Sequence, residues 1–246
     1  MKVSAGACLN LVLLPGMDGT GALFEGFISV LPKEFQVHVA KYPSDRFLPY
    51  SELAGLVEEL IRRLDNVVLV AESFSAPLAI NLAASRSSNL IALVICAGFA
   101  SSPVGAWVCR FVPLLETVLR IPAAQFLFGC FLVGAKAPKS LRAALRKSVR
   151  SVPASVLAAR LRAILECDVR QELLRVAVPI LYVRAGKDRL VRKRCYREIK
   201  RLRPDTVLQT IRAPHLVLQT QPAKAAEAIS SFLRRVTGPD LRSDQG

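Results

Sequence analysis

The stretch Val67-Val68-Leu69-Val70-Ala71-Glu72-Ser73-Phe74-Ser75-Ala76-Pro77-Leu78-Ala79-Ile80 decides how this chain is read. A β-branched apolar run ends at Ala71, and a helical apolar pattern begins near Phe74. A serine stands between them, with a small residue two positions away on each side, Ala71 and Ser75. A strand that turns this sharply into a helix has no room for bulky flanks, and the turn lifts the serine hydroxyl out of the sheet. Glycine is usual at both flanks, and this chain has neither. The same residues fit a plainer account, because serine is a preferred N-cap and Ser73 would then only cap the next helix.

Outward from this turn, strand and helix patterns alternate. Apolar or alternating runs at Cys8–Leu14, Gln36–Lys41, Val67–Ala71, Leu90–Cys96, Val178–Arg184 and Thr206–Ile211 predict strands. Helical periodicity covers Thr20–Leu31, Tyr50–Leu64, Phe74–Ser85, Val191–Leu202 and Gln221–Val236. Near-continuous Val/Ile/Leu strands between helices predict an α/β fold, a mostly parallel sheet covered on both faces. The alternation breaks between Phe99 and Val176, where no strand pattern is visible and Pro103, Pro113, Pro122, Pro138 and Pro153 punctuate helical stretches. The expected organisation is an α/β core over 1–98 and 177–246, interrupted by a helical insertion over 99–176.

Composition sets further bounds. With 246 residues, 52% of them hydrophobic, the chain can bury a sizeable core without disulfides or metals. Its six cysteines form no C-x-x-C pair, and several lie in apolar runs where a free thiol acts as a small hydrophobe. No secretory signal is apparent, so a reduced, cytoplasmic setting is expected. With only His38 and His215 present, no metal site is expected.

Charge is uneven. Residues 131–246 carry 25 Lys/Arg against 9 Asp/Glu, whereas residues 1–130 carry 9 against 10. The densest basic run, Arg184 to Arg203, lacks interleaved aromatics and any nucleic-acid motif, so no nucleic-acid partner is expected. An anionic substrate or peripheral contact with an anionic membrane both remain open. Between Arg120 and Lys136 there are 15 uncharged residues, short for a membrane span. They read as a helix facing an apolar pocket or as a shallow membrane contact.

A serine hydroxyl needs a base within hydrogen-bond reach and an acid to orient that base. His215 follows the strand Thr206–Ile211 in Arg212-Ala213-Pro214-His215-Leu216, while His38 lies inside a strand pattern as an edge or core residue. Asp188 follows another strand end in Arg184-Ala185-Gly186-Lys187-Asp188. Its plainer reading is an N-cap, and Asp168 is a weaker rival that looks like the cap of a short helix. Asp18 and Glu72 lie near the turn but at the wrong chain positions for the acid.

The order Ser73, Asp188, His215, each at a strand end, resembles that of the α/β-hydrolase superfamily. The likeness spans nearly the whole chain. Leu13-Leu14-Pro15-Gly16-Met17-Asp18-Gly19-Thr20-Gly21 matches the position of that family's oxyanion loop, with Pro15 where a histidine is common. The run Pro-Gly-x-Asp-Gly-Thr-Gly is similar to bacterial esterase/lipase-like members and to plant enzymes that make phytyl esters.

The resemblance implies a compact six-stranded version of that fold, with the 99–176 insertion as a helical cap. It implies a catalytic triad of Ser73, Asp188 and His215, and an oxyanion hole made by the Met17 and Phe74 N–H groups. No cofactor is implied. The substrate it suggests is a small carboxylic ester or thioester with an apolar acyl group. Phe99, Trp107, Phe126 and Phe128 are candidate pocket residues, though a residue of each kind is more often plain core. Acyl transfer to an alcohol would use the same triad, and a non-enzymatic binding protein on the same fold is a third reading.

Overall fold

The computed structural model describes residues 8–85, 89–104, 117, 121, 129 and 131–238. Its frame is a sheet of strands β1 (Leu9–Leu14), β2 (Phe35–Val39), β3 (Val67–Glu72), β4 (Leu90–Cys96), β5 (Ile180–Ala185) and β6 (Val207–Ile211). These six strands lie in the order β2-β1-β3-β4-β5-β6, and every neighbouring pair is parallel. The expected α/β-hydrolase architecture is the one formed.

Strands β1, β3 and β4 are buried along their whole length, as unbroken apolar runs in a sheet covered on both sides should be. Side chains alternate between two core layers. Val12, Leu14, Leu69 and Ala71 face one layer, where α2 (Tyr50–Ile61) contributes Val57 and α3 (Ala76–Ala84) contributes Leu78. The same layer receives Leu173 from α6 (Arg170–Arg175) and Ile199 from α7 (Lys193–Leu202). Leu11, Leu13, Val68 and Val70 face the other layer. There they meet Phe27 of α1 (Glu25–Ile28), Leu218 of α8 (Val217–Thr220), and Ile229 and Phe232 of α9 (Pro222–Thr237). Each side chain of this size taken fully out of water contributes roughly 1.5–3 kcal/mol.

Between β4 and β5 lie α4 (Lys139–Arg150), α5 (Ala154–Glu166) and α6 among the described residues. Pro138 and Pro153 stand immediately before α4 and α5, where a missing N–H is harmless. One isolated antiparallel bridge, Ser101 to Asp168, closes the base of this segment. Among the described residues no helix is long and apolar enough to cross a membrane.

The largest departure from the sequence expectation is at Thr20–Leu31, which forms only a short 3-10 turn, Ala22–Phe24, and the single turn α1. Gly21 sits in the left-handed region at φ 71°, and a Cβ there would come within 2.4 Å of Val39. The chain must therefore turn before it can wind, and Pro32 follows soon after.

Strand register explains why the chemistry-bearing loops meet. Leu14 pairs with Ala71, so β1 and β3 end level and the loop after β1 lies beside Ser73. The chain leaves β1 for β2 on one side and returns to β3 on the other, making a switch point of the kind where α/β sheets place ligands. Ala185 pairs with Ile211, and the pairing continues as Gly186 N–H to the Ile211 carbonyl (2.7 Å) and Lys187 N–H to the Ala213 carbonyl (2.9 Å). The Asp188 and His215 loops are thereby fixed against each other.

Candidate active site

Ser73 occupies the sharp turn its neighbours suggested. Its φ is 50°, a left-handed conformation that costs a residue with a side chain about 1–3 kcal/mol. The turn is held from behind. Ser75, fully buried, donates its hydroxyl to the Pro15 carbonyl. Its single proton thus committed, Ser75 accepts from the Tyr42 hydroxyl at 2.6 Å. Tyr50 donates to the Phe74 carbonyl at 2.9 Å. Burial pushes both phenols up from their ordinary value, so both remain neutral donors. The serine in the usual glycine position therefore ties the Ser73 turn to the loop after β1.

His215 and Asp188 converge on that turn. Ser73 Oγ and His215 Nε2 are 2.8 Å apart, and His215 Nδ1 is 2.7 Å from Asp188 Oδ2. The side chains of His215 and Asp188 are 4% and 1% exposed, so water does not compete for either contact. Asp188 Oδ1 accepts the Leu190 and Val191 N–H groups at 2.8 and 3.1 Å, which leaves Oδ2 to face the imidazole. With Nδ1–H donated to Asp188, Nε2 is the acceptor for the serine proton. The rival groups are engaged elsewhere: Asp168 with Arg170, and His38, on the edge strand β2, with Asn10 of β1.

The Pro15–Gly21 loop is pinned by residues no sequence motif marks. Arg160 on α5 is only 2% exposed and donates to the Met17, Asp18 and Pro43 carbonyls at 2.9, 2.8 and 2.7 Å. Ser148 on α4 donates to Asp18 Oδ2 at 2.7 Å, the same oxygen that Thr20 binds. Gly19, at φ 70°, lets the guanidinium in; a Cβ there would lie 2.7 Å from Arg160 Nη1. A faint signal did exist in the sequence. Val156, Arg160 and Ile164 share one helix face, an arginine among core residues.

Glu72, next to the serine, is buried as well. Burial pushes its carboxyl up to about 8, with a hydrogen bond from Gln219 (3.0 Å) pulling the other way. Its Oε1 and the Gln219 Oε1 are both buried without a partner among the described residues.

A cavity of about 510 Å³ opens on Ser73 and His215. Its walls are largely apolar and include Met17, Phe99, Leu132, Leu161 and Ile164, with Arg189, Arg192 and Arg194 at one side. Of the four aromatic residues expected here, Phe99 lines the cavity; Trp107, Phe126 and Phe128 lie outside the described residues. Among the described residues no group of three His, Cys, Asp or Glu side chains is gathered as metal ligands.

Residues 11–228 match the family model described as "Alpha/beta hydrolase family". The chain belongs to the alpha/beta hydrolase family. No curated protein matches it in sequence. Solved structures with the same fold include the enol-lactonase from Burkholderia xenovorans LB400, at TM-score 0.79 and 16% identity, covering 94% of both chains. MenH from S. aureus superposes at 0.80 with 13% identity, covering 97% of this chain and 98% of its own. The esterase EaEST from Exiguobacterium antarcticum gives 0.80 with 16% identity, covering 94% and 93%. At these identities the likeness of this alpha/beta hydrolase to them is one of fold.

Proposed function

We propose that the protein is a serine hydrolase that cleaves a carboxylic ester or thioester with an apolar acyl group. The observation that carries this reading is the unbroken chain from Ser73 Oγ to His215 Nε2 (2.8 Å) and from His215 Nδ1 to Asp188 Oδ2 (2.7 Å), opening on an apolar cavity. Ser73 Oγ attacks the acyl carbon while His215 takes its proton. The negative oxygen of the tetrahedral intermediate is bound by the Met17 and Phe74 N–H groups. The carbon–leaving-group bond breaks as His215 returns the proton to the departing oxygen or sulfur. Water then gives a proton to His215, attacks the acyl-serine, and releases the acid with Ser73 restored. Asp188 holds the tautomer and steadies the imidazolium throughout. The 99–176 segment acts as the cap, and its apolar wall holds the acyl chain.

The test uses the purified protein and Ser73→Ala with a fluorophosphonate probe and p-nitrophenyl esters of short, medium and long acyl chains. Labelling and hydrolysis in the wild type, both lost in the variant, are expected. Equal hydrolysis by a folded Ser73→Ala variant overturns the reading.

A further inference from the structure

A second cavity, of about 900 Å³, lies beside the first. Arg189 lines both, and the second also takes Pro214, the residue before His215. Its cationic groups are Lys136, Lys187, Arg189 and Arg212, and no Asp or Glu lines either cavity among the described residues. The nearest carboxylate in sequence, Asp188, is turned inward on His215 and is 1% exposed. Arg62, Arg162, Arg170, Arg175 and Arg203 each pair with a carboxylate. The four cations of the second cavity have no such partner among the described residues. Four like charges gathered without counter-charge repel one another, and a bound anion relieves that repulsion.

We infer that this cavity is the leaving-group site and takes a leaving group that carries phosphate. The inference rests on the hydrolase reading above. With the acyl chain in the apolar cavity and its carbonyl at Ser73, the leaving group departs past His215 towards the cavity that Pro214 and the shared Arg189 line. The volume exceeds what a lone phosphate needs and suits a nucleotide-sized group, for which Phe131, Val133 and Pro138 offer apolar wall. The bond chemistry is unchanged: the thiol or alcohol of the phosphate-bearing group leaves with the proton from His215. Phosphate could be presented by a nucleotide-bearing thioester or by a glycerophosphate ester, which share the anion and differ in size.

The experiment compares kcat/KM for octanoyl-coenzyme A with that for the octanoyl thioester of N-acetylcysteamine, which has the same reacting bond and no phosphate. A second pair sets 1-octanoyl-glycerol-3-phosphate against 1-octanoyl-glycerol. The phosphate-bearing member of at least one pair is expected to win by about tenfold or more at low salt. That ratio should collapse towards one in Lys136→Glu/Arg212→Glu and at high salt. A preference in both pairs assigns the site to phosphate as such, and one confined to the thioester pair assigns it to the nucleotide.

A ratio near one in both wild-type pairs, or a ratio the folded double variant leaves intact, overturns the inference. Titration of coenzyme A and glycerol 3-phosphate into Ser73→Ala gives a readout free of turnover. Binding of either, weakened at least tenfold by charge reversal, with no ester hydrolysis by the wild type would sustain the site and sink the hydrolase reading. Ester hydrolysis through Ser73 with no phosphate preference does the reverse.

Discussion

The sheet and the 99–176 segment hold their shares of the site by different means. Strand register and apolar burial bring Ser73, Asp188 and His215 together: β1 ends level with β3, and β5 with β6, so the loops above them have little freedom. The segment adds polar grips to its apolar contacts, in which Val156 and Leu157 cluster with Met17. Arg160 and Ser148, from α5 and α4, grip the loop that carries Met17. In the proposed mechanism, proton transfer and oxyanion binding therefore rest on separate supports and should fail separately.

The largest effect belongs to the sheet side. In Asp188→Asn the amide must turn its NH2 either towards the Leu190 and Val191 N–H groups or towards the imidazole Nδ1–H. The first sets donor against fixed backbone donors; the second leaves the backbone bonds intact and drives the imidazole to the wrong tautomer, with Nδ1 unprotonated. We expect kcat/KM on p-nitrophenyl esters to fall by about 10³–10⁴, with little change in Tm. Retention of most activity would mean that the 2.7 Å contact does not orient the base.

Arg160→Ala strikes the other support. Three half-buried carbonyls, those of Met17, Asp18 and Pro43, lose their donor. The expected loss is about 3 kcal/mol in stability and about 10–100-fold in kcat, with KM little moved, as for a misaimed oxyanion donor. Arg160→Lys should recover part of kcat, since one ammonium can serve some of the carbonyls. A fall in KM-dependent binding alone would make Arg160 a wall of the acyl cavity and erase the contrast.

The two regions also treat buried charge differently. Burial lowers the pKa of Arg160, and the Asp18 charge opposes that shift. Glu72 in the sheet layer has no cation to face, and burial raises it from 4.5 to about 8. The folded state therefore holds a proton that the unfolded chain releases. Stability from this group is complete below pH 4.5, drains as pH rises, and is gone above about 8. Thermal melts across that window should show a decline worth a few kcal/mol. In Glu72→Gln the decline should flatten. An equally steep wild-type and variant profile would assign the slope to other groups.

Legibility in the sequence divides along the same line. Every strand was readable, because period-2 and continuous apolar runs such as Val67–Ala71 and Leu90–Cys96 are local properties of the chain. Ser73, Asp188 and His215 were readable because each follows a strand end, and strand ends in a parallel sheet converge. Arg160 was not, because its meaning depends on a contact 143 residues away, with Met17. Helix Thr20–Leu31 was overread: Gly21 and the crowding by Val39 override a fair apolar pattern. Ser75 was legible only as tolerated. Its two hydrogen bonds depend on Pro15 and Tyr42, brought near by register rather than by sequence.

Ser75 gives the smallest and most discriminating test, because it joins the Ser73 turn to the Met17 loop from the sheet side. In Ser75→Ala the Pro15 carbonyl and the Tyr42 hydroxyl lose a buried partner, which costs about 1–2 kcal/mol. The Met17 loop is still held by Arg160, so kcat should fall only a few-fold. In the double variant with Arg160→Ala the loop keeps only Ser148 and its apolar contacts, and the kcat losses should compound by more than their product, because each support masks the loss of the other. Strictly multiplicative losses would mean that the two ties act on different parts of the loop. A neutral or stabilising Ser75→Gly would mean that the hydroxyl merely fills a place glycine suits better, leaving the 99–176 segment as the loop's main support.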